Sequence, residues 1–278
     1  MKKVIYAAIA GLLLAGCSSD NVEEQCEMVN VNVGLSGFQV ETEGMTRANT
    51  PIADYVTKLD VWVYESDTEA AAVHQSSGDA GFGSVSFTLN KTKTYTLYAI
   101  AHKADGAATL ADGVISWPDD KVTHSFFYKT TFTPATSTEL DCVMSRIVAM
   151  LRVETTDAIP AECKKMRITV KDVFDRWSVE TGGTHQLDRT STINISSTKP
   201  DGTAAFTLYA IVTGENTSHR VTMEALDADD NILKTHVLDN VPLCINKKTT
   251  ISGAFFPDVE GAFSFLAGDI EELTTVEF

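Results

Sequence analysis

The sequence predicts an all-β protein organised as two tandem β-sandwich domains. Three observations lead there. Apolar residues recur with period two, turn-forming clusters separate the runs, and two sequence echoes sit at nearly one offset. The first run covers residues 29–35, where Val29, Val31, Val33 and Leu35 alternate with Asn30, Asn32 and Gly34. Leu59, Val61 and Val63 alternate next with Asp60, Trp62 and Tyr64, and then Val85, Phe87 and Leu89 with Ser84, Ser86 and Thr88. Such alternation puts one face of a strand on a core and the other towards solvent or a second layer. Residues 95–100, 166–170, 205–209, 221–225 and 249–253 read the same way, and their threonines and β-branched residues suit strands. Turn clusters fall at 76–79, 104–106, 181–183, 199–202 and 227–231. Long amphipathic helical patterns are missing.

Composition narrows the class. The chain has 278 residues and a formal charge of −16, with 44% hydrophobic and 22% charged residues. That mixture suits a globular chain with a substantial core and rules out wholesale disorder. The acidity excludes nucleic acid as a partner, because phosphate binding needs a basic face to release counterions. Only one run approaches membrane-spanning length, and it lies at the extreme N-terminus.

That N-terminus reads as an export signal. Met1-Lys2-Lys3 is a short positive region, residues 4–15 are apolar, and Leu14-Ala15-Gly16-Cys17 follows. A small-residue pair directly before a cysteine resembles the bacterial lipobox. The resemblance implies cleavage before Cys17 and lipidation of its sulfur. Residues 1–16 are then a signal peptide. Acyl chains at about 0.8 kcal/mol per buried CH₂ anchor the rest without a transmembrane helix. Residues 17–27 are polar and acidic and read as a flexible tether. Their acidity also resembles a surface-export signal of Bacteroidetes lipoproteins, and a plain solvated linker explains it equally well. Cys26, Cys142, Cys163 and Cys244 remain. An oxidising envelope permits disulfides among them, and free buried thiols are the alternative.

The echoes indicate duplication. Lys58-Leu59-Asp60-Val61-Trp62-Val63 matches Lys165-Met166-Arg167-Ile168-Thr169-Val170. Tyr95-Thr96-Leu97-Tyr98-Ala99-Ile100 matches Phe206-Thr207-Leu208-Tyr209-Ala210-Ile211. One domain is therefore expected over residues 28–139 and a second over 140–278. Their boundary is placed at the polar, proline-containing stretch 134–138.

Several of these pieces together resemble the fimbrillin superfamily of Bacteroidales type V pili. They are the lipobox ending at Cys17, the alternating strand 29–35, Gly44-Met45-Thr46-Arg47-Ala48, and the run 58–64. The Leu-Tyr-Ala-Ile strand and Ser145-Arg146-Ile147-Val148-Ala149 complete the set. The resemblance covers nearly all of the chain after the signal. It implies two transthyretin-like (Greek-key) sandwich domains and a lipoprotein precursor. It also implies proteolysis after an arginine that frees the first strand. The groove left behind accepts a strand from another subunit. On that reading the chain is a structural fimbrial subunit or pilus-associated adhesin. It is held at the outer membrane, on the cell surface, by lipid on Cys17. Other fimbrial subunits are its partners by strand exchange, and its surface receptor is undefined. Arg47 and Ala48 flank the candidate cut, in a polar, glycine-containing stretch of the kind proteases select. A solvated loop cation without a role is the plain alternative for Arg47. Residues 263–265 and 270–278 are candidates for a donated strand or for the last strand of their own domain.

Catalysis, cofactors and metals find no support in the motifs. His74, His102, His124, His185, His219 and His236 are scattered and fit structural roles. There is no G-x-S-x-G elbow, and Gly81-Phe82-Gly83-Ser84 reads as a turn rather than a dinucleotide loop. Asp227-Ala228-Asp229-Asp230-Asn231 offers oxygens for Ca²⁺, but Ile232 and Leu238 stand where a calcium loop needs Gly and Glu. A hairpin turn is the better account. Trp62, Trp117 and Trp177 suit either core anchoring or sugar stacking, which keeps a surface glycan-binding lipoprotein as the alternative function.

Overall fold

The computed structural model describes residues 27–39, 55–136, 138–195, 201–214, 217–256 and 263–269, and they are built mostly of strands. The first half holds β1 (Met28–Gln39), β2 (Lys58–Glu65), β3 (Thr68–Ser76), β4 (Ser84–Asn90) and β5 (Tyr95–His102). It continues through short β6 (Thr109–Ala111) and β7 (Val114–Ser116) to β8 (Phe126–Phe132) and β9 (Thr138–Arg146). The second half holds β10 (Ala149–Thr155), β11 (Lys165–Ser178), β12 (Gly182–Asn194) and β13 (Ala205–Ala210). It ends with β14 (Thr217–Leu226), β15 (Ile232–Leu243), β16 (Lys247–Gly253) and β17 (Ser264–Asp269).

The first sheet has the order β3-β2-β5-β8-β9-β1-β4. Leu59 and Val61 of β2 share one buried cluster with Val31 and Val33 of β1, although several strands separate them along the sheet. The sheet must therefore fold over on itself. The bend lies at β8–β9, where pairing is limited to Phe126 with Arg146 and Phe127 with Ser145. The second half forms β13-β10-β16-β17 and β15-β14-β11-β7-β6, with β12 also on β11. Leu151, Val153, Met166, Ile168, Phe206, Met223 and Ile251 fill the core between these layers. An all-β sandwich architecture is thus what the alternation predicted.

The two halves repeat one topology. The order β3-β2-β5-β8 with β9-β1-β4 recurs as β12-β11-β14-β15 with β16-β10-β13. In both, the leading strand is parallel to one neighbour and antiparallel to the other: β1 to β9 and β4, β10 to β16 and β13. The echo of 58–63 in 165–170 matches equivalent strands, β2 and β11. The echo of 95–100 in 206–211 does not, because it matches β5 with β13, whose counterpart is β4. The equivalent residues are Phe87-Thr88-Leu89 and Phe206-Thr207-Leu208. Val31 lies opposite Phe87 as Val153 lies opposite Phe206. Period-two runs of similar composition carry little information about which strand they are.

The expected boundary needs correction too. Residues 134–136 lie between β8 and β9, two strands of the first sheet. A division between 139 and 140 falls within β9, which pairs with β1 and β8. The chain leaves that sheet after Arg146 and starts β10 at Ala149.

The halves are also interlocked. The β5–β8 connection sends a hairpin, β6–β7, out of the first sheet and onto β11. Ser116, Ile115 and Val114 pair with Arg176, Trp177 and Ser178. A shared core forms around this crossing from Trp62 and Ile100 of the first sheet, Ile115 and Trp117 of the crossover, and Val179 and Ile211 of the second half. Ile115 is fully buried there. Ile115→Ala should lower unfolding stability by about 2–5 kcal/mol, the cost of a cavity at a buried aliphatic site. It should also speed amide exchange at residues 176–178 of the other half. Denaturant unfolding and hydrogen exchange read the two effects.

Candidate strand-exchange slot

The best-defined candidate site is the position occupied by β1. Its alternation has a direct structural meaning: Val31 and Val33 are buried, while Asn30 and Asn32 face out. The buried pair packs among Val85, Phe87 and Leu89 of β4 and Cys142 and Met144 of β9. Burying each valine is worth roughly 1.5–3 kcal/mol. On the outer face Ser86 Oγ donates to Asn32 Oδ1 at 2.8 Å and Thr88 Oγ1 to Asn30 Oδ1 at 3.2 Å. At the entry, the backbone N–H of Lys91 donates to the Glu27 carbonyl at 3.0 Å, and the two side chains form an ion pair.

The fimbrillin resemblance implies that the first strand can be freed, and the fold places β1 inside the sheet. Residues 28–34 run antiparallel to residues 84–90 of β4. Residues 31–34 and 37–39 run parallel to β9, with a register break between Gly34 and Gly37. Taking β1 away would open two backbone walls at once, together with an apolar floor. A strand entering the slot must match one parallel and one antiparallel partner.

Cys17, Arg47 and Ala48 lie outside the described residues, so the slot and the candidate cut are linked through chain order alone. β1 ends at Gln39 and β2 begins at Lys58, so Arg47 belongs to the connection between them. The predicted run 263–265 enters β17, which pairs antiparallel with β16. Phe263, just before it, packs where a side chain on Gly253 would stand, which explains the glycine. Residues 270–278 lie outside the described residues.

Sequence reasoning did not single out the polar junction between the halves. Arg146, at the end of β9, is buried at 3% exposure. Its Nε donates to His124 Nε2 at 2.8 Å and its Nη1 to Asn246 Oδ1 at 2.7 Å, and its guanidinium lies over the Phe126 ring. His124 stacks on Tyr209 of the second half at 5.2 Å between ring centres. Because Nε2 accepts from arginine, the imidazole is neutral with its proton on Nδ1. Burial, reinforced by the Arg146 and Lys103 charges, pulls His124 down to about 3. No sequence signal marks a buried arginine in advance, since its partners come from distant strands.

The other polar residues have structural work. Asp60 is buried and accepts from His102 Nε2 at 2.9 Å and from the Ala108 N–H at 2.8 Å, while His74 Nδ1 lies 2.7 Å away. His102 Nδ1 in turn accepts from the Ala104 N–H at 3.1 Å, so this aspartate–histidine set fastens the loop after β5. Asp227 Oδ1 accepts the N–H groups of Asp229 and Asn231, both at 2.9 Å, making the acidic loop the turn of the β14–β15 hairpin. Trp62 and Trp117 are buried anchors, and Trp177 packs over Gly182 and beside Phe127. Cys142 and Cys163 are buried free thiols, and burial pushes Cys142 up to about 12.

Comparison with known proteins follows from this geometry. The sequence family DUF6562, a family of unknown function, matches residues 23–265. No curated protein matches the sequence. Among solved structures, the fimbrial anchor protein Mfa2 from Porphyromonas gingivalis superposes with a TM-score of 0.53 at 11% identity, over 87% of this chain and 98% of its own. A candidate adhesin from Bacteroides thetaiotaomicron gives 0.53 at 13% identity, over 88% and 99%. A candidate cell-adhesion protein from Bacteroides ovatus gives 0.50 at 14% identity, over 88% and 100%. These likenesses establish a shared fold, the one that the fimbrillin resemblance implies.

The junction yields a pH test. Unfolded histidine takes up its proton near pH 6.5, whereas folded His124 resists down to about 3. Between those values the unfolded state binds more protons, so stability is complete above 6.5 and declines as pH falls towards 3. His124→Gln keeps an acceptor for Arg146 and cannot titrate. Wild type should lose stability faster than this variant between pH 6 and 4, by up to about 1.4 kcal/mol per pH unit. Denaturant unfolding at each pH measures the difference.

Proposed function

We propose, from the premise that the chain belongs to the DUF6562 family, that it is a fimbrial subunit or fimbria-associated adhesin of a bacterial surface. Cys17 carries lipid that holds the precursor at the outer membrane. Cleavage between Arg47 and Ala48 severs β1 from β2, β1 departs, and a strand from another fimbrial subunit takes its place. The single observation behind this reading is the position of β1: an interior strand, plugged by Val31 and Val33, with partners on both sides. A vacated slot of that kind exposes two rows of backbone donors and acceptors, which strand addition satisfies. The shared fold with an anchor protein and candidate adhesins supports the same reading. Glycan recognition through the tryptophans is less favoured, since Trp62 and Trp117 are buried in the shared core.

A trypsin-like protease acting on the folded chain tests this. Cutting should occur after Arg47 and be lost in Arg47→Ala. Once cut, the chain should release the segment that ends at Arg47, with the tether and β1 in it, and lose exchange protection on β4 and β9. A synthetic peptide of residues 28–39 should restore that protection, and the same peptide with Val31→Asp should not. A fully cut chain that retains β1 and refuses any added strand would sink the proposal.

A further inference from the structure

The face of β1 that meets the core does little to distinguish it from other strands. Val31 and Val33 are buried, and so are Leu59, Val61 and Val63 of β2 and Leu151 and Val153 of β10. A slot that read this face alone would accept any of these patterns. The intervening residues differ. They are Asn30 and Asn32 in β1, Asp60 and Trp62 in β2, and Arg152 and Glu154 in β10. Both walls of the slot address those positions. On β4, exposed Thr88 and Ser86 stand directly opposite Asn30 and Asn32, and their hydroxyls donate to the two carboxamide oxygens. On β9, exposed Glu139 stands opposite Asn32, and exposed Asp141 stands opposite Gly34, which presents no side chain to it. One wall thus offers hydroxyls and the other carboxylates.

We infer, resting on the strand-exchange reading, that the slot selects its incoming strand by the outward face and takes one with neutral carboxamide side chains at the positions of Asn30 and Asn32. Ser86, Thr88 and Glu139 determine that choice. A carboxamide gives its oxygen to a hydroxyl on β4 and keeps N–H donors that are compatible with a carboxylate on β9. An apolar side chain at position 32 leaves the Ser86 hydroxyl without that acceptor. A carboxylate there can accept from Ser86 but stands directly opposite Glu139, and like charges in opposed positions are unfavourable. Refusal of acidic strands by β9 supplies the repulsive part of specificity, which attraction to the right strand cannot. The chain carries 38 Asp and Glu against 22 Lys and Arg, so strands with an outward acid, such as β10 with Glu154, are the competitors to be refused.

Competition on the cut chain tests the choice. A labelled peptide of residues 28–39 fills the slot, and unlabelled variants displace it. On the parent chain, Asn32→Ala and Asn32→Asp should each weaken the peptide about two- to fivefold, the range of a cross-strand side-chain pair. On a Ser86→Ala chain the Asn32→Ala peptide should match the unmodified one. On a Glu139→Gln chain the Asn32→Asp peptide should bind at least as well as the unmodified one, and added salt should narrow its deficit on the parent chain. Ser86 and Glu139 are exposed, so the unfolding transitions of both chains should match the parent's. Equal displacement by all three peptides on the parent chain overturns this inference alone. So does an Asn32→Ala deficit that survives Ser86→Ala, or an Asn32→Asp deficit that survives Glu139→Gln. A chain that takes up no added strand overturns the strand-exchange reading and this inference together.

Discussion

Backbone hydrogen bonding along strand edges is the constraint that organises this molecule. With almost no helix among the described residues to satisfy polar groups internally, each strand depends on a neighbour. β1 is held from two sides by β4 and β9. The β6–β7 hairpin leaves its own sheet to extend another. β17 flanks β16 in the second half much as β8 flanks β9 in the first. Which edges are met, and by which strands, therefore decides how firmly each strand is held.

The duplicated topology sets up a contrast between the halves. In the first, the sheet closes on itself at a bend secured by Arg146, His124 and Asn246, a polar junction roofed by aromatic rings. A buried guanidinium is tolerable because hydrogen bonds and π contacts replace its lost hydration. Among the described residues the second half has no equivalent pairing, β15 and β16 lying in separate sheets. The shared core around Ile115 and Trp117 ties the halves together.

Much of this was readable in the residues. Alternation at 29–35, 58–64 and 84–89 located β1, β2 and β4, because a half-buried strand requires period two. The acidic run at 227–231 was legible as a turn from Asp and Asn alone. β3, β8, β9 and β10 were not singled out, and neither were β12 and β15, where exposed and half-buried residues alternate over much of the length, nor β6 and β7, which are three residues each. Of the candidate site, the inward face of β1 was legible, while its two neighbours were not, because partner choice is a non-local decision.

Local conformation, the inward and outward faces of the alternating strands, the acidic character and a family resemblance that the fold supports were thus legible in the residues alone. Tertiary structure alone decided that β1 is interior and that the Phe-Thr-Leu runs of β4 and β13 are the true counterparts. It also decided that Arg146 and Asp60 are buried anchors and that the β5–β8 crossover stitches the halves together. The physical reason is range. Alternation is written between residues two apart, whereas strand pairing and burial join residues a hundred apart, as Arg146 and Asn246 do.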